Sequence, residues 1–159
     1  MKNMSSILRV LHCLLICSCS NTNTADNMNT KASFPDSYTF QSSEMKVITT
    51  IINRKLGTMS TLYGNSLALQ KSRDSDAKMV AGELYKLVTW KQQPDTHWFG
   101  ANIPGDLQSI EAIQTTSAED IVTINYQLYE GQNITLHSDT VNRSNRISFI
   151  LKLKPSILP

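Results

Sequence analysis

The sequence predicts an α+β fold, in which a mainly antiparallel β-sheet carries one or two short helices packed on it. Residues 121–129 give the clearest strand signal, because apolar and polar side chains alternate along them. A turn of Glu-Gly-Gln follows at 130–132 and alternation resumes at 133–137, which predicts an antiparallel hairpin. Residues 66–73 are helix formers that follow Asn65, a residue type suited to capping a helix N-terminus.

The first eighteen residues are interpreted as a signal peptide. Lys2 and Arg9 supply its charged region, and only His12 interrupts the apolar side chains of residues 10–17. Spanning a bilayer takes about 20 apolar residues, so this stretch is too short for a permanent membrane helix.

A lipid anchor is predicted next to this segment. Ile16-Cys17-Ser18-Cys19 resembles the lipobox of bacterial lipoproteins, which implies that Cys19 is the first mature residue and that its thiol carries the lipid. The expected location is the cell envelope, lipid-anchored and facing the periplasm or the exterior. The alternative is an ordinary secretory signal in which the cysteines are incidental. All three cysteines lie within the first twenty residues, so the folded body has no disulfide or thiolate metal site.

The mature chain is expected to begin with a tether and to continue as one domain. Residues 19–33 are rich in Asn and Thr and bury too little apolar surface to offset chain entropy, which predicts a disordered tether. Residues 34–159 form the predicted domain. The 15 basic and 13 acidic residues include Lys2 and Arg9 of the signal peptide, so the mature protein is neutral. Neutrality argues against nucleic acid as a partner.

Further strands are predicted along the domain, and the C-terminal segment is ambiguous. Residues 83–92 have apolar side chains on both faces, which is typical of a central strand. The tail at 146–154 fits a strand or a helix ended by Pro155, and we favour the helix. The remaining predicted strands are 46–52, 57–63 and 107–116.

Common catalytic and metal-binding patterns are missing from the mature sequence. His97 and His137 are forty residues apart and have no cysteine or His-x-x-Glu-His pattern near them, so no metal site is expected. There is no Gly-rich phosphate loop, serine nucleophile elbow or cysteine nucleophile. Asp74 and Asp76 lie in a polar run beside Arg73, which favours a solvated loop over a calcium site.

Aromatic residues and turn formers are densest at residues 88–105. The functional interpretation is an aromatic pocket in which His97 is an axial ligand or proton carrier and a lysine is its polar partner. The structural interpretation is a loop whose aromatic side chains plug the end of the sheet, and residue chemistry alone favours it. The candidate pocket residues are Lys86, Trp90, Lys91, His97, Trp98 and Phe99.

The order of several short motifs resembles the cytochrome P-460 domain. They are Gly-Thr-Met-Ser-Thr-Leu-Tyr-Gly-Asn at 57–65, a strand from Gly82 ending in Val-Thr-Trp-Lys, and Ile-Pro-Gly at 103–105 followed by Ile110-Glu111. The resemblance covers residues 38–129. It implies an antiparallel sheet with packed helices, a homodimer, and a periplasmic haem protein that acts on small nitrogen compounds or binds gases.

One departure from the family pattern removes its usual cofactor attachment. Family members that carry haem attach it through Cys-x-x-Cys-His toward the C-terminus, whereas this chain has no cysteine after Cys19. Covalent c-type haem is therefore excluded. The family's haem-crosslinking lysine stays unassigned between Lys86 and Lys91, which both lie on the matching strand.

Three functions remain open at this point. We prefer a non-enzymatic, membrane-tethered module that has no cofactor and binds a small ligand or a partner. The alternative is an enzyme or gas-binding protein that holds haem non-covalently, with His97 or His137 as axial ligand. The third is a purely structural envelope lipoprotein.

The lipid-anchor prediction leads to a first test. We expect Cys19→Ser to move the protein out of the membrane fraction and to abolish labelling with a radioactive fatty acid, because the acylated thiol is lost. Cys17→Ser is the matched control and should keep both properties. Unchanged fractionation and labelling of the Cys19 variant would contradict the anchor.

Overall fold

A computed structural model of the chain describes residues 29–41, 43–74, 76–119, 121–131, 133–137 and 142–156. The predicted signal peptide, Cys19 and the predicted tether up to residue 28 lie outside these ranges. Within the described ranges, no helix is both long and apolar enough to cross a bilayer.

Six strands of the described chain form one antiparallel sheet, and each strand pairs with the next one in sequence. The predicted α+β fold with a mainly antiparallel sheet is confirmed. The strands are β1 Lys46–Asn53, β2 Thr58–Gly64, β3 Leu84–Pro94, β4 Asn102–Ala118, β5 Ile121–Glu130 and β6 Thr135–His137. In the same described ranges, two helices, α1 Ser66–Arg73 and α2 Arg143–Lys152, and a short 3-10 turn at Thr30–Ala32 accompany the sheet.

Both helices agree with the sequence prediction. The side-chain oxygen of Asn65 accepts a hydrogen bond from the Ala68 backbone N–H at 3.0 Å, so α1 has the predicted N-cap. In α2 the partly buried Ile147 and Leu151 and the fully buried Ile150 pack on the sheet. These positions recur at helical spacing, which explains why the helical interpretation of the C-terminal segment is correct.

The β3–β4 hairpin is longer than the predicted strands. Pairing of β2 with β3 stops at Lys91, and pairing of β5 with β4 begins at Ser109. Beyond these points β3 and β4 still pair with each other, as far as Pro94 with Asn102, so the hairpin leaves the sheet as a two-stranded ribbon. Irregular pairing around Trp90 accompanies this departure. Prolines are tolerated in such a ribbon because each strand has one unpaired side.

One face of the sheet, here called the helix face, packs against α1 and α2. Its buried core includes Leu62, Leu87 and Ile113 from three strands, together with Ala68 of α1 and Ile150 of α2. Burial of this apolar surface holds both helices on the sheet.

The opposite face is covered by residues 29–41, here called the strap. Ala32, Phe34, Tyr38 and Phe40 of the strap pack against a second core cluster that contains the buried Trp90. The Phe34 and Phe40 rings stack with centroids 4.8 Å apart. The strap therefore protects the second apolar face of the sheet from water.

Residues 29–33 belong to the predicted tether and to the described strap. The 3-10 turn Thr30–Ala32 contacts β4, and the Trp90 indole N–H donates a hydrogen bond to the Ala32 carbonyl at 3.0 Å. The indole N–H of a buried tryptophan needs an acceptor, and this carbonyl supplies it. The Asn29 side-chain amide also donates to the Pro104 carbonyl of β4. Contact with the sheet thus begins at Asn29, five residues before Phe34, at which the sequence places the start of the domain.

Candidate functional site

The structure divides the six candidate pocket residues between two places. Lys86 and Trp90 lie beneath the strap, where the Lys86 ammonium is 4.8 Å from the centroid of the Phe40 ring and 5.7 Å from that of Tyr38. Burial lowers the pKa of Lys86. This environment is a packed aromatic cluster stabilised by cation–π contacts.

The other candidate residues are exposed on or near the β3–β4 hairpin. Lys91 is exposed on β3, and His97, Trp98 and Phe99 occupy the turn between the two strands. Trp98 is 72% exposed and Phe99 is fully exposed, while the His97 side chain is 79% exposed with Nδ1 3.5 Å from an Asp95 carboxylate oxygen. The structure therefore does not bring the six residues together around one cavity. The favoured interpretation is right that His97 is exposed at a turn, but wrong that Trp98 and Phe99 plug the end of the sheet, because the ribbon carries both rings into solvent.

A cavity of about 570 Å³ lies on the helix face, between the sheet and α2. Its volume is in the range of small-molecule sites, which occupy roughly 300–1,000 Å³. Polar and ionisable side chains occupy part of the wall, and apolar side chains occupy the rest. The wall includes the polar residues Ser60, Thr89, Gln108, Glu111, Glu130, His137, Arg143 and Arg146 and the apolar residues Ile51, Leu56, Leu87, Leu128 and Phe149.

Glu111 of β4 is the buried acid of this cavity. Only 4% of its surface is exposed, and it lies on the helix face beside Ile113, two residues along the strand. Arg146 of α2 donates two hydrogen bonds to its carboxylate, at 2.9 Å from Nε and 2.5 Å from Nη2. The Tyr126 hydroxyl donates a third hydrogen bond at 2.6 Å. The bidentate ion pair compensates the buried charge and ties α2 to the sheet.

The protonation states of the two donors follow from the same contacts. Burial raises the pKa of Tyr126, and the hydrogen bond and the negative charge of Glu111 raise it further. The hydrogen bond to Glu111 also raises the pKa of Arg146, against the opposing effect of burial. At neutral pH, Tyr126 is therefore a neutral donor and Arg146 a cation.

Arg143 lies one helical turn before Arg146 and also lines the cavity. Its guanidinium carbon is 6.0 Å from the centroid of the Tyr126 ring. Within the described ranges, the only arginine in an ion pair is Arg146. On the sheet side, the hydroxyls of Ser60 and Thr89 are hydrogen-bonded at 2.9 Å. Arg143 can therefore offer its N–H donors to an anionic group bound in the cavity.

Sequence reasoning missed Glu111, Tyr126, Arg143 and Arg146 as a group. A weak signal was present, because Glu111 and Tyr126 occupy positions that share a face with buried apolar neighbours. A charged residue at such a position needs a partner. The partner could not be identified from the sequence, since Arg146 follows Glu111 by thirty-five residues and reaches it only through the docking of α2.

The acidic pair Asp74 and Asp76 follows α1. The Asp76 backbone N–H donates to the Asp74 carboxylate at 2.9 Å, and both residues are exposed. This contact is a local turn. In the part of the chain that the structure describes, no group of three or more His, Cys, Asp or Glu side chains is arranged to hold a metal ion.

Comparison with known proteins does not assign the chain to a family. No family model matches the chain, and no curated protein matches it.

Removal of one partner of the Glu111–Arg146 pair should strongly destabilise the fold. We expect Arg146→Met to lower the free energy of unfolding by about 2–4 kcal/mol, because it leaves Glu111 buried without its cation. The double variant Glu111→Gln/Arg146→Met should recover part of this loss, since the buried charge is removed as well. Urea unfolding followed by circular dichroism measures both effects.

Arg143→Met is the matched control on the same helix, and it should change the unfolding free energy by no more than about 0.5 kcal/mol. Equal losses for the two arginine variants would contradict a special role for the buried pair.

Proposed function

We propose that this chain is a lipid-anchored binding module of the cell envelope, with a cytochrome P-460-like domain that lacks covalent haem and binds a small organic ligand. The observation that carries the proposal is the cavity between the sheet and α2. It combines the guanidinium of Arg143 with a hydroxyl-bearing wall and apolar side chains, which suits a ligand with an anionic group and an apolar part.

The family resemblance supports this location for the ligand. In haem-carrying members of that family, the attachment motif lies toward the C-terminus. In this chain the C-terminal segment 142–147 contains no cysteine and forms the start of α2, where Asn142, Arg143 and Arg146 line the cavity. A non-covalent ligand is the proposal that fits these residues. The resemblance also supports a homodimer.

The hydrogen bonds that the buried Glu111 accepts favour a binding function over a catalytic one. Glu111 accepts hydrogen bonds from both Arg146 and Tyr126. Both oxygens of this carboxylate are engaged by these donors, which leaves Glu111 poorly placed to take a proton from a ligand as a general base. We therefore propose a non-enzymatic role.

A second candidate is a protein that holds haem non-covalently, and the position of His137 favours it. His137 lines the cavity, whereas His97 is exposed on the β3–β4 turn. The residues fit haem, because the cavity combines an imidazole, the guanidinium of Arg143 for a propionate, and apolar walls, while Arg146 stays paired with Glu111. When bound, haem would supply an iron centre for gases or small nitrogen compounds. His137 would hold the iron, and Arg143 would orient a carboxylate.

The ligand site can be tested with an anionic fluorescent probe, 8-anilino-1-naphthalenesulfonate, and residues 20–159. We expect one probe molecule to bind per chain, because the cavity offers a cation beside apolar side chains. Arg143→Ala should weaken binding about 10- to 100-fold, through loss of a charge-assisted hydrogen bond. Lys91→Ala is the control, since Lys91 does not line the cavity, and should leave the affinity unchanged. An unchanged affinity in the Arg143 variant would argue against this site.

The two candidate functions are separated by adding hemin to the same protein and recording the absorbance spectrum. If the cavity binds small ligands other than haem, we expect no stoichiometric Soret band. A stoichiometric band that is lost in His137→Ala and kept in His97→Ala would establish the haem alternative and displace the preferred proposal.

A further inference from the structure

The turn between β3 and β4 displays two large aromatic side chains to solvent. This tip, residues 95–101, is a closed turn in which the Asp95 N–H donates to the Ala101 carbonyl at 3.0 Å. The Asp95 carboxylate also accepts the His97 N–H at 2.7 Å. Within this turn Trp98 is 72% exposed and Phe99 is fully exposed. The tip thus presents its aromatic rings on an ordered scaffold at the far end of a two-stranded ribbon.

The N-terminal end of the described chain lies beside this ribbon. The Asn29 side-chain amide donates a hydrogen bond to the carbonyl of Pro104, which pairs with Gln92 near the base of the tip. Pro104 is six positions after Trp98, so the two are at most about 20 Å apart along the chain. The chain that leads back to Cys19 therefore leaves the domain at the same end as the tip.

The length from this point to the proposed anchor is short. Nine residues, 20–28, lie between Cys19 and Asn29. A chain of this length spans at most about 35 Å when fully extended, and about 17 Å on average as a coil. An anchor at Cys19 would hold the tip end of the domain close to the lipid surface.

The turn between β1 and β2 lies at the same end of the sheet. The Gln92 N–H donates to the Gly57 carbonyl at 2.8 Å, which joins this turn to the base of the ribbon. Arg54 and Lys55 are exposed in the turn, and Leu56 is 70% exposed. Basic side chains beside aromatic ones suit the boundary between lipid head groups and acyl chains.

Acidic side chains also lie at this end of the sheet, where Glu130 is exposed at the end of β5. The Asp95 carboxylate already accepts a backbone N–H of its own turn, and Asp106 is exposed farther along β4. Repulsion of anionic head groups from the tip itself is therefore small.

We propose that the β3–β4 tip inserts Trp98 and Phe99 into the interface of the membrane that carries the lipid anchor. This inference rests on the proposed attachment at Cys19. Two aromatic side chains bind a bilayer weakly by themselves, but the tether raises their effective concentration at the surface. The contact would fix the orientation of the domain. It would also place the ligand cavity near the membrane, because Leu56 of the β1–β2 turn lines that cavity.

The test uses residues 19–159, in which Cys19 is the only cysteine. Cys19 is coupled to a maleimide lipid in phosphatidylcholine vesicles that contain brominated acyl chains, which quench tryptophan fluorescence at short range. We expect brominated lipid to reduce the Trp98 emission by about twofold relative to unbrominated vesicles, because interfacial tryptophan lies within reach of the acyl chains. Trp98→Phe leaves only Trp90, which is buried beneath the strap and should not be quenched.

A matched reporter at the other end of the sheet is the control. Ile121 follows the β4–β5 turn and is 65% exposed, and β4 separates it from the tip by roughly 50 Å of strand. In the Trp98→Phe background, Ile121→Trp should be unquenched. An unquenched Trp98, as expected if the tip binds a protein or stays in water, overturns the inference. Equal quenching at the two positions overturns it as well.

This experiment separates the tip contact from the anchor on which it rests. Chemical coupling at Cys19 reproduces the geometry whether or not cells acylate the residue. Fatty-acid labelling in cells that is absent from the unaltered protein, or unchanged by Cys19→Ser, would contradict the natural anchor, whereas absence of Trp98 quenching in coupled vesicles would contradict the tip contact.

Discussion

Burial of both faces of the β3–β4 hairpin is the constraint on which the rest of the fold depends. Leu87 and Ile113 point to the helix face, while Val88 and Ile110 point to the opposite face, and all four are nearly inaccessible to solvent. An antiparallel sheet can leave one face in water only when that face is polar. Since neither face of this hairpin is polar, the chain must supply a cover for each. The helices form one cover and the strap forms the other.

The two covers are held by different interactions, and those that hold α2 determine where the candidate site lies. The strap packs through aromatic rings and one indole hydrogen bond, from Trp90 to Ala32. α2 packs through Ile150 and also through the buried pair of Arg146 with Glu111. A buried ion pair contributes little net stability compared with apolar packing, but it strongly disfavours any arrangement that separates its members. In this protein it sets the position of α2 and thereby the position of Arg143 at the cavity.

The strap connects the proposed membrane anchor to the core of the domain. Its residues begin beside the ribbon at Asn29 and continue across the sheet to Phe40, so the proposed tether joins a packed segment at once. If Cys19 carries lipid, the end of the domain that bears the β3–β4 tip is the end nearest to the membrane. The cavity, the exposed aromatic residues and the start of the tether would then all lie toward the membrane-facing end of the domain.

Local patterns in the sequence determined the fold class, the N-cap of α1, the β5–β6 hairpin and the helical C-terminal segment, because each depends on periodicity or on neighbouring residues. The N-terminal signal and its Cys19 are equally local patterns, and their role stays a prediction.

Tertiary structure alone decided which side chains meet. Residues 88–105 supplied the candidate pocket because aromatic residues are close together in sequence, yet β3 places Trp90 in the core and the turn that follows leaves Trp98 exposed at the tip. Conversely, Glu111 and Arg146 are far apart in sequence and meet because burial of an apolar face brings α2 onto the sheet. Such a contact depends on the energy of the whole packed core, which no single segment encodes.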